Sequence, residues 1–141
     1  MAVSPFLRGI EQLFAGNYKV ASVTFKCMLW KAGYAPDKLT HAFRSDVTAE
    51  VPAGAGYATG GQNCTAALVR DSVNGRLDLT FSPMSWTAPA GATLTARGAI
   101  YYISLGAAAS DVLVGYDDFG GELAATNQAL NVAQSILRLQ V

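Results

Sequence analysis

Residues 64–81, CTAALVRDSVNGRLDLTF, decide how the chain is read. Cys64 to Arg70 and Arg76 to Phe81 are short apolar-rich runs, with Asn74-Gly75 between them. Both residues of that dipeptide tolerate the positive φ of a tight turn, so an antiparallel hairpin is expected. In the second run Leu77, Leu79 and Phe81 share a face, the period-two alternation of a half-buried strand.

Outward from the hairpin the pattern repeats. Residues 93–105, TLTARGAIYYISL, form a long β-branched and aromatic strand, with Gly98 where a bulge or a close backbone approach is expected. Val112 to Tyr116 reads as a returning strand, and Asp117 to Gly121 as a solvated turn. Upstream, Val23, Phe25, Cys27 and Leu29 alternate with Ser22, Thr24, Lys26 and Met28. Pro36-Asp37 makes a turn, and Thr40 to Val47 is either a helical turn or an irregular crossing segment. Residues 50–62, with Pro52 and glycines at 54, 56, 60 and 61, read as an extended Gly-rich loop. Ala129 to Val141 fits no single period.

Ser4-Pro5 has the form of a helix start, a hydroxyl cap before proline, and Gly16-Asn17 that of a stop. Phe6, Ile10, Leu13 and Phe14 recur at helical spacing between them, so a helix over 4–16 is expected to dock its apolar stripe on the sheet. About seven or eight strands at roughly ten-residue spacing point to a mainly β fold. The expected architecture is one domain over residues 1–141, an antiparallel β-sandwich of jelly-roll-like form with a short N-terminal α-helix.

A chain of 141 residues buries roughly two-thirds of its unfolded surface and needs no disulfide or metal staple. Only 14% of its residues are charged, against about 25% in an average soluble domain. Ten basic and ten acidic residues cancel, so self-repulsion is weak and burial in an assembly is expected. The basic residues are scattered, which argues against nucleic acid as a partner. No signal-peptide pattern opens the chain and no window has the apolar length of a membrane span, so no membrane partner and synthesis in a cytoplasm are expected.

No catalytic, cofactor-binding or metal-binding constellation stands out. His41 is the single histidine, without a second His or Glu at helical spacing. No serine lies in a strained nucleophile turn. Asp117 and Asp118 are adjacent, and neighbours in an extended chain point to opposite sides. The Gly-rich stretch lacks the Lys-Ser/Thr of a phosphate loop. Cys27 and Cys64 read as free thiols on neighbouring strands. The remaining candidates are for partner contact. Trp30 and Tyr34 flank a Lys31-Ala-Gly turn and are the aromatics expected at the surface. Gly54, Gly56, Tyr57, Gly60 and Gly61 would let the backbone lie flat on a partner or thread between strands.

The stretch from Thr24 to Gln62 resembles a family of small structural proteins of tailed bacteriophages. There a strand of the type TFKVALL is followed by Y-x-P-D, then TH-x-F-x-SDV, then EV-x-G-x-GY-x-x-GG. The matching residues here are Thr24, Phe25, Lys26, Leu29, Tyr34, Pro36, Asp37, Thr40, His41, Phe43, Ser45, Asp46, Val47, Glu50, Val51, Gly54, Gly56, Tyr57, Gly60 and Gly61. Val114 to Gly120 matches a later GY-x-DFG pattern, which implies a terminal strand over 129–141. Cys27-Met28 and Trp30-Lys31 depart from the family's plain aliphatic and Thr/Ser positions. The resemblance implies a virion protein made in the host cytoplasm. It further implies a capsid decoration protein, with the major capsid protein and neighbouring copies of itself as partners, in a homo-oligomer or multi-copy assembly. The alternative it leaves open is a tail-tip or fibre-associated protein touching a receptor through Trp30, Tyr34 and nearby loops.

Overall fold

A computed structural model describes residues 1–140 and shows a mainly β, sandwich-like single domain with one short helix. In chain order the elements are β1 (Ser4–Pro5), α1 (Leu7–Phe14), β2 (Thr24–Trp30), β3 (Gln62–Cys64), β4 (Ala66–Asp71) and β5 (Arg76–Phe81). They continue with β6 (Met84–Thr87), β7 (Thr93–Ser104), β8 (Val112–Thr126), β9 (Ala129–Val132) and β10 (Ser135–Gln140). A 3-10 turn, Arg44–Asp46, lies within the crossing segment.

Five strands form one sheet in the order β1-β8-β7-β2-β3, three form a second in the order β10-β5-β4, and β6 pairs with β9. Every pairing between strands is antiparallel. The two larger sheets meet through aromatic rings. Phe81 of the smaller sheet stacks on Tyr101 at 4.2 Å between centroids and meets Phe25 edge-on at 5.7 Å, the geometries that ring quadrupoles favour. Around them Cys27, Leu29, Ile103 and Leu113 are fully buried in one continuous core.

The expected hairpin forms, but over a four-residue turn, Ser72 to Gly75, in which Gly75 and not Asn74 takes positive φ. β4 and β5 pair from Ala66 opposite Phe81 to Asp71 opposite Arg76. Asp71 Oδ1 accepts hydrogen bonds from the Val73 and Asn74 amides, both at 3.1 Å, and Gly75 takes φ +61°. Gly98 sits at a register shift of the β7–β8 ladder, the place expected of a bulge.

Three expectations are corrected. Ser4-Pro5 does not cap a helix, because it pairs as β1 with Tyr116 and Gly115; the helix begins at Leu7 behind Phe6, which makes no side-chain cap bond. Asp117 to Gly121 is no turn. β8 runs through it, and pairing passes from Gly98–Asp118 to Ala96–Leu123, so the intervening residues bulge out of a continuous strand. The C-terminal segment is two strands, β9 and β10, rather than one; Val141 lies outside the described residues.

Candidate functional site

The sequence placed partner contacts at Trp30 and Tyr34, and the structure buries both, at 2% and 5% exposure. Trp30 ends β2 directly across from Gly98, whose missing side chain leaves the indole its space. Tyr34 meets the indole edge-on at 5.6 Å and stacks on His41 at 5.4 Å. Tyr34 OH bonds His41 Nδ1 at 2.9 Å, and the Asp37 amide donates to the same nitrogen at 3.1 Å. A nitrogen accepting from an amide carries no proton, so the tautomer assigned to His41 is Nε2–H. His41 therefore joins two turns. On either side Asp37 accepts from the Leu39 and Thr40 amides, and Asp46 from the Phe43 and Ala42 amides. These bonds hold both carboxyls below the usual carboxylate range.

The Gly-rich segment also turns inward. Val51 N donates to Leu29 O at 3.0 Å, Lys31 N donates to Ala49 O at 2.8 Å, and Leu29 N donates to Tyr57 OH at 3.1 Å. These are the outward backbone groups of β2 beyond the reach of the short β3, so the loop caps an otherwise open sheet edge. Gly61, at φ +73°, passes so close to the Cys27 carbonyl that no Cβ fits, and Gly56, at φ +84°, does the same against Thr87. Gly56 and Gly61 thread against neighbouring backbone, one of the two roles expected for these glycines. Gly54 and Gly56 are exposed, whereas Tyr57 and Gly60 are buried and Gly61 partly so.

Glu50 ties the loop to the body. Its Oε1 accepts from Tyr57 OH at 2.7 Å and from the Gly60 amide, while Oε2 lies 4.0 Å from Arg44. Arg44 Nε donates to Asp111 Oδ2 at 2.8 Å, and its guanidinium lies over the Tyr102 ring. Tyr102 OH donates to Gly60 O at 2.6 Å. Burial raises the Tyr57 hydroxyl well above its ordinary value, and it raises Tyr102 to about 12. Every charge in this network has a partner, so its chemistry is that of a clamp.

One polar cluster had no signal in the sequence. Asp117, read as solvated, is 1% exposed and faces Tyr101 and Ser135 inside the core. Tyr101 OH donates to Ser135 Oγ at 2.7 Å, and Ser135 Oγ bonds Asp117 Oδ2. Burial pushes the Asp117 carboxyl up, because its charged form loses water. Asp118, the next residue, faces out and is clamped by Arg97 at 2.9 Å; the strand alternation expected for this pair holds. Asp117 carries Oδ1 without a hydrogen-bond partner among the described residues. The cluster is sealed from solvent and has no path for a substrate.

Cys27 and Cys64 are free thiols on adjacent strands; burial pushes the Cys64 thiol up to about 12 and raises the Cys27 thiol well above its ordinary value. Among the described residues no three His, Cys, Asp or Glu side chains are grouped to hold a metal, and no helix is long and apolar enough to cross a membrane.

What the fold leaves open is apolar. The hairpin face that starts in the core at Phe81 and Leu79 runs outward to Leu77, Leu68 and Leu139, with Leu68 55% and Leu139 43% exposed. Opposite lie Ile10, Leu13 and Phe14 of α1, with Phe14 72% exposed. The groove between them has a volume of about 430 Å³. Among the described residues of its lining, Lys19 is the one that carries a charge. This surface, rather than the aromatic turn, is the candidate functional site. Alternation in residues 77–81 marked the face, but nothing local to the sequence said that its outer half would stay uncovered.

No family model matches the chain, and no curated protein or solved structure matches it.

Proposed function

We propose that this chain is a non-enzymatic structural component of a tailed-phage particle, and within it a capsid decoration protein that binds the assembled shell of major capsid protein. The observation that carries the proposal is the contrast in surface chemistry. The polar networks around Glu50 and His41 are spent on internal bonds, while the open apolar groove offers contact area. The likeness of Thr24 to Gln62 to small phage structural proteins supplies the setting, a virion. Low charge supports a working state in which neighbours cover much of the surface.

The mechanism is mass action. A protein that binds the assembled lattice but not its free subunits stabilises the lattice by its binding free energy, once per site. Purified chain added to shells lacking it tests this. The expected result is saturation at a fixed ratio to capsid subunits, a higher shell-disruption temperature and no binding to unassembled subunits. Absence of the protein from purified particles would contradict the proposal. The tail-tip alternative relied on Trp30 and Tyr34 at the surface; with both buried, no observation favours it.

A further inference from the structure

We propose that strand β4 is a self-association edge, on which two copies join across a two-fold axis at Leu68 into one continuous six-stranded sheet. The inference goes beyond the capsid assignment and does not depend on it.

β4 ends the order β10-β5-β4, and among the described residues no other strand pairs with it. The direction of its free backbone groups follows from the ladder. Thr65 O accepts from Ser82 N at 2.9 Å and Ala67 O from Thr80 Oγ1 at 3.2 Å, so the odd-numbered residues point at β5. Antiparallel strands alternate in this respect, so Ala66, Leu68 and Arg70 turn their N–H and C=O groups outward. The chain covers its other long edge, at β2, with the Gly-rich loop. The β10 edge is partly covered, because Val3 N donates to Ile136 O and Ile136 N to Met1 O, each at 2.8 Å. β1 is two residues long and carries Pro5. Of the usual protections β4 carries only the charges of Arg70 and Asp71 at its end; among the described residues it has no proline, no lysine, no bulge and no covering segment.

The occupant is a second copy because the edge matches itself. Two copies of one strand that pair antiparallel about a two-fold axis must keep the same face up, which centres the register on a residue. Every residue-centred register brings outward backbone groups together, and the one centred on Leu68 engages the most of them, with Leu68 opposite Leu68 and Ala66 opposite Arg70 at each end. That register sets no like charges directly opposite and brings two half-exposed leucines into a cross-strand pair. It also continues the apolar face of Leu79 and Leu137 from one copy into the other.

The face that the pairing would cover is apolar and open: Phe14, Leu68, Leu77 and Leu139 are 72%, 55%, 36% and 43% exposed.

Sedimentation equilibrium of the purified full chain over about 1–100 μM tests the proposal, this being the affinity range of a modest interface. The expected result is reversible dimerisation. L68K should weaken it by roughly a hundredfold, since like charges replace an apolar pair on the axis. L68E should do the same, and an equimolar mixture of L68K and L68E should restore association. A control, L39K, changes an exposed leucine away from the hairpin and should leave dimerisation unaltered. Circular dichroism checks that the variants fold, and Leu68→Ser replaces them if they do not. A monomer at every concentration would overturn the proposal, and so would a dimer that survives L68K and Leu68→Ser. Failure of the mixture to associate would overturn the two-fold register at Leu68.

Discussion

Two edges of this molecule meet opposite fates. At β2 the chain doubles back on itself, and the residues from Glu50 to Gly61 satisfy the strand's outward backbone groups and lock down through Glu50, Tyr57 and Tyr102. At β4 nothing follows, and a hairpin with apolar side chains on one face ends in solvent. An open edge invites pairing with another chain, so a protein that covers one edge so thoroughly and leaves another bare has concentrated its capacity for association in one place. Aromatic and glycine content marks the closed edge and misleads about the open one.

The closed edge is most sensitive at Gly61. Gly61→Ala would drive a Cβ into the Cys27 backbone at a positive φ, and should cost about 3 kcal/mol or more in chemical denaturation. Next, Glu50→Ala strips partners from Tyr57 OH, the Gly60 amide and Arg44, and should cost about 2–3 kcal/mol. A near-neutral result for either would mean that the loop does not clamp the edge.

The sealed interior responds to pH. Asp117 has a folded-state pKa raised by burial, so its contribution is present below the ordinary carboxylate range and is lost as pH rises through the raised value. Thermal melts of wild type and Asp117→Asn should therefore draw closer together as pH rises from about 4 to 8, the wild type losing its advantage. Asp46 and Asp78 act with the opposite sign. Their folded pKa values are depressed, by the Phe43 amide and by Arg138 respectively, so their stabilisation is lost as pH falls below the ordinary range. The smallest effect belongs to the open edge. L68K should change the stability of the dilute monomer by no more than about 0.5 kcal/mol, because Leu68 covers little in a single copy.

Much of the fold was legible. The hairpin around Gly75, the alternation of Leu77, Leu79 and Phe81, and the bulge at Gly98 each rest on local rules that the tertiary structure respects. Where reading failed, a distant partner had overridden a local signal. Ser4-Pro5 has the chemistry of a helix cap, yet β8 offers it a ladder. Asp117-Asp118-Phe119-Gly120-Gly121 has turn composition, yet β7 is long enough to hold it as a bulged strand. Trp30 and Tyr34 flank a turn, but Gly98 and His41, from elsewhere in the chain, give them places to be buried. The open edge was the least legible feature, because exposure depends on what the rest of the chain leaves uncovered.

Amide hydrogen exchange read at Leu29 and Leu68 compares the two edges residue by residue. With Leu29 N–H held by Tyr57 OH, its exchange should be slow at every protein concentration. Leu68 N–H should exchange rapidly in dilute protein and become protected as concentration rises. A Leu68 amide that exchanges at one rate throughout, or a Leu29 amide no slower than it, would contradict the assignment of one closed and one associating edge.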